Sequence, residues 1–512
     1  MLKQCLLLFI TALLGQFLFG QSGTLDLSYA NDAGFRTLNF LAEEELTPYS
    51  VTDSQNRTWI AGQTAIDGNW RIILSRLDAE GNYDQSFGGT GYAVINLGGN
   101  QFEFIKGIAL QNDDLIITGV IVENGEFTPF LVSYTSEGSL KTDFGEFGAF
   151  VPTAVNMDVT GIQVDESRSI FLSGGIEDNV LAVKGLPDGS GFDHTFGFFG
   201  AAIADFPSVD RSVCIDFDTD GNVYVFGYGE LNGVIRGHVT AFTSTGEKNS
   251  DFTANGRKSI TWPDDKEFLV SDGLIHSGNQ KIYLSGSTRN PDTEALNTAA
   301  VAITLAAEQD MNFGQGGWLE PDLGIGGADV SHAIVEGLNG LYLAVGIQEF
   351  PQGINSGVLH IDEDGQWVQS FGGLGLSTVN LIEVGDDYGL SISFQSDDRL
   401  ILVGVGETEE IGIFGYATRL FNDISSSVNN DIFLSQLKVY PNPTTEFLQV
   451  SLTKEAPTGL PYSIFGIDGT LQLQGRLQSL QQDIDVSVLP AGQYVLQIPG
   501  HYPQQWIKMT EY

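Results

Sequence analysis

An all-β chain of repeated units is what this 512-residue sequence predicts, on three observations. Glycine reaches 63 residues and phenylalanine 33, and short apolar runs alternate with polar turn residues. That pattern belongs to strands and tight turns, and helical periodicity is nearly absent. An eight-residue phrase, DQSFGGTG at 84–91, returns as VQSFGGLG at 368–375.

Aligning on that phrase gives seven copies. Their aromatic residues are Tyr29, Phe87, Phe144, Phe196, Phe252, Phe313 and Phe371, spaced 52 to 61 residues apart. A second marker keeps the same beat: an apolar strand ending in Gly62, Gly119, Gly174, Gly227, Gly286, Gly346 or Gly404. A period near 57 sustained this long is a repeat architecture.

One unit can be read through. Residues 104–111 form a strand, Asn112 to Asp114 a turn, and 115–121 pair back as a hairpin. The segment VENGEFT (122–128) reads as a loop to a third strand at 129–135. The phrase then turns the chain into a fourth strand at 148–154. Four-stranded antiparallel units repeated about an axis make a β-propeller. The phrase aromatic is expected to plug the space between neighbours, and its glycines to allow close approach. The unit at Gly404 lacks a phrase of its own, and residues 35–40 can supply its missing strand. The prediction is therefore a seven-bladed β-propeller closed by N- and C-terminal strands, which leaves no exposed sheet edge. A small C-terminal β-sandwich follows.

The repeats resemble the delta-60 repeat family of bacterial propeller-like proteins. Gly81, Asp84, Ser86, Phe87, Gly88 and Gly91 match its phrase best, and the resemblance covers about 23–421. The fifth copy departs at Thr253 and the first at Tyr29-Ala30. The resemblance implies a fold and no catalytic residues.

Residues 1–22 read as a secretory signal peptide: Lys3, an apolar run from Leu6 to about Leu14, then small or polar residues. No other stretch is long and apolar enough for a transmembrane helix. Cys5 falls in that leader, so Cys214 is left unpaired and reads as a small buried hydrophobe. The net charge of −42 repels nucleic acid and anionic lipid.

Residues 422–432 are polar and read as a linker. The segment 433–512 holds short alternating strands, with four basic and six acidic residues. It resembles the C-terminal sorting domain of the type IX secretion system (type A) of Bacteroidota. The matching residues are Tyr440, Pro441, Asn442, Pro443, Leu489, Gly492, Tyr494, Val495 and Lys508. The resemblance implies the type IX machinery as a partner. It also implies export through the periplasm to the outer-membrane surface or the medium.

Catalytic motifs are scarce. The six histidines are dispersed and read as loop or surface residues. No Gly-x-Ser-x-Gly elbow and no phosphate loop occurs. Asp216, Asp218 and Asp220 begin like a calcium loop, but Gly227 stands where the bidentate Glu is required, so a hairpin turn is the better reading. Calcium there is the one cofactor the sequence offers. TDSQNRTW (52–59) fits the Asp box of sialidases at Thr58 and Trp59 alone. The functional expectation is a non-catalytic module at the cell surface that binds a glycan or protein. Trp70, Trp262 and Trp318 are its stacking candidates. The alternative is a polysaccharide hydrolase or lyase using carboxylates at the propeller mouth.

Overall fold

The computed structural model describes residues 22–422 and 437–509, apart from short stretches of which the longest are 39–47, 453–459 and 498–503. The expected signal peptide and linker lie almost wholly outside the described residues. The chain divides into two compact units, Met1–Ile424 and Ser425–Tyr512.

The first unit is built from four-stranded antiparallel sheets, seven among the described residues. Six of them are consecutive meanders. Their first strands are Tyr49–Thr52, Phe102–Gln111, Asp158–Val164, Val209–Phe217, Glu267–Ile275 and Val330–Gly337. The seventh takes Asp386–Phe394, Leu400–Thr408 and Gly412–Leu420, and its fourth strand is Phe35–Leu38. The N-terminal segment thus completes the last sheet. Each first strand packs on the next, and Asp386–Phe394 packs on Tyr49–Thr52. The Ser50 and Ser391 hydroxyls meet there at 2.8 Å, as do those of Thr52 and Ser393.

Both sequence markers have physical causes. Six first strands carry a register break, a β-bulge, at Lys106, Thr160, Val213, Ser271, His332 and Leu390. The break turns a backbone carbonyl over the neighbouring strand. A Cβ on Gly119 would collide with the Phe104 carbonyl, and one on Gly227 with that of Arg211. Gly174, Gly286 and Gly404 face the same obstruction from Asp158, Leu269 and Tyr388. In these five sheets the strand glycine is therefore the bulge's complement; Gly346 meets only side chains, at 3.3 Å or more.

The seven phrase aromatics are all buried. A turn glycine of the following unit seats on the aromatic: Gly81 on Tyr29, Gly138 on Phe87, Gly189 on Phe144 and Gly365 on Phe313. Gly23, bonded to Phe421 at the end of the seventh sheet, seats against the Phe371–Gly372 backbone of the sixth. The phrase aspartate caps its own turn; Asp84 accepts from the Ser86 N–H at 2.9 Å and pairs with Arg76 at 2.7 Å. Asp26 does the same across the chain ends, accepting from Arg419 at 2.7 and 2.8 Å.

Three details differ from the sequence reading. VENGEFT is no loop: Asn124 (φ 52°) and Gly125 (φ 84°) make a two-residue turn, and the third strand starts at Glu126. Asn-Gly is the favoured pair for such a turn. The fourth strand of that unit pairs over Ala149–Phe150 alone. His238, His276 and His360 are buried, not surface residues. Burial pushes His238 down to about 3 and His360 to about 4. In the departing copies, Ala30 takes φ 58° in the glycine's place, and the Thr253 hydroxyl donates to the Arg257 carbonyl at 3.0 Å.

The second unit has two sheets. Leu437–Tyr440, Phe447–Leu452 and Gln481–Asp485 form one. Leu471–Leu477, Leu460–Gly466, Gly492–Gln497 and Gln504–Lys508 form the other, in that order. Leu448, Val450, Ile464, Ile484, Leu496 and Trp506 share one core.

Asp26 and Arg419 are both buried, so Asp26→Ala leaves an uncompensated guanidinium. A loss of about 3–5 kcal/mol is expected, read as a lower urea midpoint of the full chain.

Candidate functional site

Three tryptophans, half of the chain's six, converge on one cavity of about 430 Å3 in the first unit. Trp262 and Lys266 come from the segment leading into the fifth sheet, Trp318 and Glu320 from its last strand and the residues after it. Gln315 comes from the phrase and Trp367 from the sixth unit. The strand Trp318–Leu319 pairs with Ala300 and Val301, which fixes the Trp318 ring. The Trp262 and Trp318 centroids are 4.5 Å apart. Trp262 is buried; Trp318 and Trp367 are half-buried, so their rings can face a ligand.

Glu320 organises the polar wall. It accepts from Lys266 (2.6 Å), Thr288 (2.7 Å), Trp262 Nε1 (3.1 Å) and Asn297 (3.2 Å). Burial alone would raise its carboxyl, but these donors hold it below the usual range. A carboxylate so fully engaged positions its neighbours and is a poor general base. Trp70 stands elsewhere, on Asn69–Leu77. Trp367, Gln315 and Glu320 were missed from sequence because each looks like ordinary repeat framework.

A second cluster lies on the first strands. Gly107, Gly161, Cys214, Asp272, Ala333 and Ser391 follow directly after the bulges, and all but Asp272 are small. Asp272 accepts from Gly273 N–H (2.8 Å) and from Ile334 N–H of the next sheet (2.9 Å). Asp216 repeats this with Phe217 N–H (2.9 Å) and Ile275 N–H (2.8 Å). Each carboxylate thus joins adjacent sheets. Burial, the largest influence, pushes both up to about 6. The same burial, with Asp272 beside it, raises the Cys214 thiol well above its ordinary value.

The calcium candidates do not converge. Asp216 faces Ile275, whereas Asp218 accepts from Asp220 N–H (3.0 Å), Asn222 N–H (2.9 Å) and Tyr224 OH (3.0 Å) in a hairpin turn. Among the described residues no group of three or more His, Cys, Asp or Glu side chains is placed to hold a metal.

The motif residues of the second unit do come together. Tyr440 ends the first strand, and Thr444, just past Pro443, clamps the last one. Thr444 N–H donates to the Ile507 carbonyl (2.9 Å) and accepts at its own carbonyl from Met509 N–H (2.8 Å). The buried Lys508 donates to the Met509 carbonyl at 3.0 Å. Leu489 and Tyr494 are buried, and Tyr494 stacks on Trp506 at 5.1 Å. Gly492 and Val495 lie on the same strand as Tyr494; Asn442 falls outside the described residues. Residues 438–509 match the family model described as a secretion system C-terminal sorting domain. The C-terminal unit carries a type IX sorting domain. A sorting domain of this kind directs a chain to the cell surface or the extracellular space. Among the described residues no helix is long and apolar enough to cross a membrane.

No curated protein matches the chain. Solved structures overlay at low similarity. Polysaccharide lyase Uly1 gives a TM-score of 0.44 at 11% identity, covering 73% of this chain and 90% of that one. Drosophila Semaphorin 1b, extracellular domains 1–2, gives 0.39 at 9%, covering 81% and 90%. PorZ, a surface component of the type-IX secretion system of Porphyromonas gingivalis, gives 0.26 at 10%, covering 93% and 76%. At these scores none bears on substrate or partner here.

The raised carboxyls give a pH test with a definite sign. A folded value near 6 against an ordinary 3.8 means the folded chain holds these protons longer than the unfolded one. Their contribution is most favourable below about 3.8 and is lost as pH rises through 6. The urea midpoint is expected to carry a component that falls between pH 4 and 7. Asp272→Asn is expected to flatten it.

Proposed function

We propose that this chain is an exported, non-catalytic binding protein, and that the Trp262–Trp318–Trp367 cavity holds an extracellular glycan. One observation carries the reading: three tryptophans from three separated segments meet around a cavity edged by Gln315, Lys266 and Asp264. Indole faces cover the apolar faces of sugar rings, and amide and charged groups at the edge meet hydroxyls. Lys266 and Glu320 neutralise one another, which suits an uncharged ligand on a chain of net charge −42.

In this reading the first unit is a closed seven-bladed propeller of the delta-60 type, from a member of the Bacteroidota. The pairing of Phe35–Leu38 with Gly412–Leu420 and the contact of Gly23 with Gly372 support closure. The signal peptide takes residues 1–22, the propeller 23–421, the linker 422–432 and the sorting domain 433–512. The type IX machinery is the partner in export.

A catalytic reading as a hydrolase or lyase has one observation in its favour: Asp216 and Asp272 both titrate near 6, where a general acid or base operates. Each is already committed to two backbone N–H groups, so the binding reading stands ahead of it.

Binding is tested by passing the protein over a neutral-polysaccharide panel and assaying released sugar. Retention without released reducing ends is expected. Trp318→Ala is expected to weaken retention roughly thirtyfold, the effect of losing about 2 kcal/mol at an anchor residue. Released sugar that depends on Asp272 would reverse the reading. Export is tested separately: deleting residues 438–509 is expected to leave the chain inside the cell envelope and absent from the surface and medium.

A further inference from the structure

The turn closing the phrase is a two-residue hairpin in three sheets. Around Phe147 (φ 55°) and Gly148 (φ 95°), Glu146 N–H donates to the Ala149 carbonyl at 2.6 Å and Ala149 N–H returns at 3.3 Å. Phe198 and Ala201 pair likewise, at 2.7 and 3.2 Å, around Phe199 (φ 52°) and Gly200 (φ 90°). Gln315 N–H donates to the Trp318 carbonyl at 2.7 Å around Gly316 (φ 66°) and Gly317 (φ 95°). This is type I′ geometry, whose first central position favours Asn, Asp or Gly.

Gly316 obeys that preference; Phe147 and Phe199 violate it. A left-handed backbone costs an L-residue roughly 1–2 kcal/mol, and a bulky residue there is a true outlier. Nothing in burial repays the cost. Phe147 is 79% exposed and Phe199 63%; Phe198, 77% exposed, stands edge-on to Phe199 with centroids 4.6 Å apart. Phe199 also stands edge-on to His194 at 5.6 Å, and these surface ring contacts are all that offset the strain; strain kept on exposed rings points to function.

The two tips are neighbours. Phe150, three residues past Phe147, packs on Phe192 at 5.2 Å, and Gly200, beside Phe199, sits against the Phe192 side chain. Pro129, Phe150, Pro152, Leu172 and Phe192 form a closed apolar seam at that contact. Leu140, against Gly148, is also exposed, as is Ile203. Exposed apolar side chains gathered on two adjacent sheets in this way mark an interaction site.

Charge selects the occupant. Asp143, Glu146, Asp188 and Asp205 stand in or beside these segments. The nearby cations are already neutralised, Lys141 by Asp114 at 2.7 Å and Lys184 by Asp193 at 3.2 Å. Two copies of a chain carrying −42 repel each other, as do anionic lipid and nucleic acid. We propose that Phe147, Phe198 and Phe199 form a docking surface for a protein partner that offers apolar sockets within a basic rim.

The test uses the full chain and two synthetic amphipathic peptides, one alternating lysine and leucine, the other glutamate and leucine. Binding is read by fluorescence anisotropy and thermal unfolding is followed in parallel. Phe147→Asn with Phe199→Asn is expected to raise Tm by on the order of 1–4 °C, because Asn suits the turn. The same pair is expected to weaken the lysine–leucine peptide roughly tenfold. Phe198→Ser is expected to weaken it with Tm unchanged. The glutamate–leucine peptide is expected not to bind. Unchanged affinity in both variants would overturn the proposal, and so would a fall in Tm of the paired variant, which would make the rings structural. Self-association that the paired variant abolishes would give the surface to a second copy and overturn the basic partner.

Discussion

The contact on which the first unit depends is an aromatic ring seated against the backbone of the next repeat. Gly138 on Phe87 and Gly189 on Phe144 show the form. Neither face of a four-stranded sheet is covered by its own unit, so each must borrow cover from a neighbour. The glycine permits it, because any Cβ there would occupy the ring's place. A planar ring fills a wedge-shaped gap with much apolar area and few rotamers to freeze. Once this joint is set, the turn aspartate, its cap and its ion pair follow, since they hold the phrase in the shape that presents the ring.

A second constraint acts at the other end of each sheet. The bulge lets successive first strands approach, and in five of the six bulged sheets it forces glycine on the adjacent strand. The approach leaves room mainly for small residues after the bulge, so Asp272 is the exception that had to be accommodated. It is accommodated by two backbone N–H donors, and Asp216 by two more. The carboxyls with the most displaced titration therefore work as inter-sheet ties. This is why displaced titration in this chain does not by itself mark a catalytic centre.

The two units divide the work. The sorting domain closes on itself through Thr444 and Lys508, joining the residue after Pro443 to the final strand. That clamp places Thr444 beside Lys508 although some 60 residues separate them in sequence. The first unit carries two features outside the repeated framework. Its tryptophan cavity and its strained phenylalanine tips sit on different sheets.

The sequence by itself determined the repeat, the seven buried aromatics, the strand glycines and the sorting motif. Each is a local requirement of backbone geometry, renewed every 57 residues or so, and periodicity makes such requirements visible. Even the borrowed strand at Phe35–Leu38 was legible, because the last unit is one strand short. Tertiary structure alone decided the rest. The Trp262–Trp318–Trp367 cavity joins segments from two sheets, and no spacing rule announces which three tryptophans will meet. The titration of Asp216 and Asp272 depends on burial between strands some 60 residues apart. The seventh phrase position varies, with Phe at 147 and 199 and Thr90, Asn255, Gly316 or Leu374 elsewhere; that those two rings stand exposed on left-handed backbone is settled by the turn's two hydrogen bonds. These are contacts between repeats, and a repeated sequence encodes them only as the sum of its exceptions.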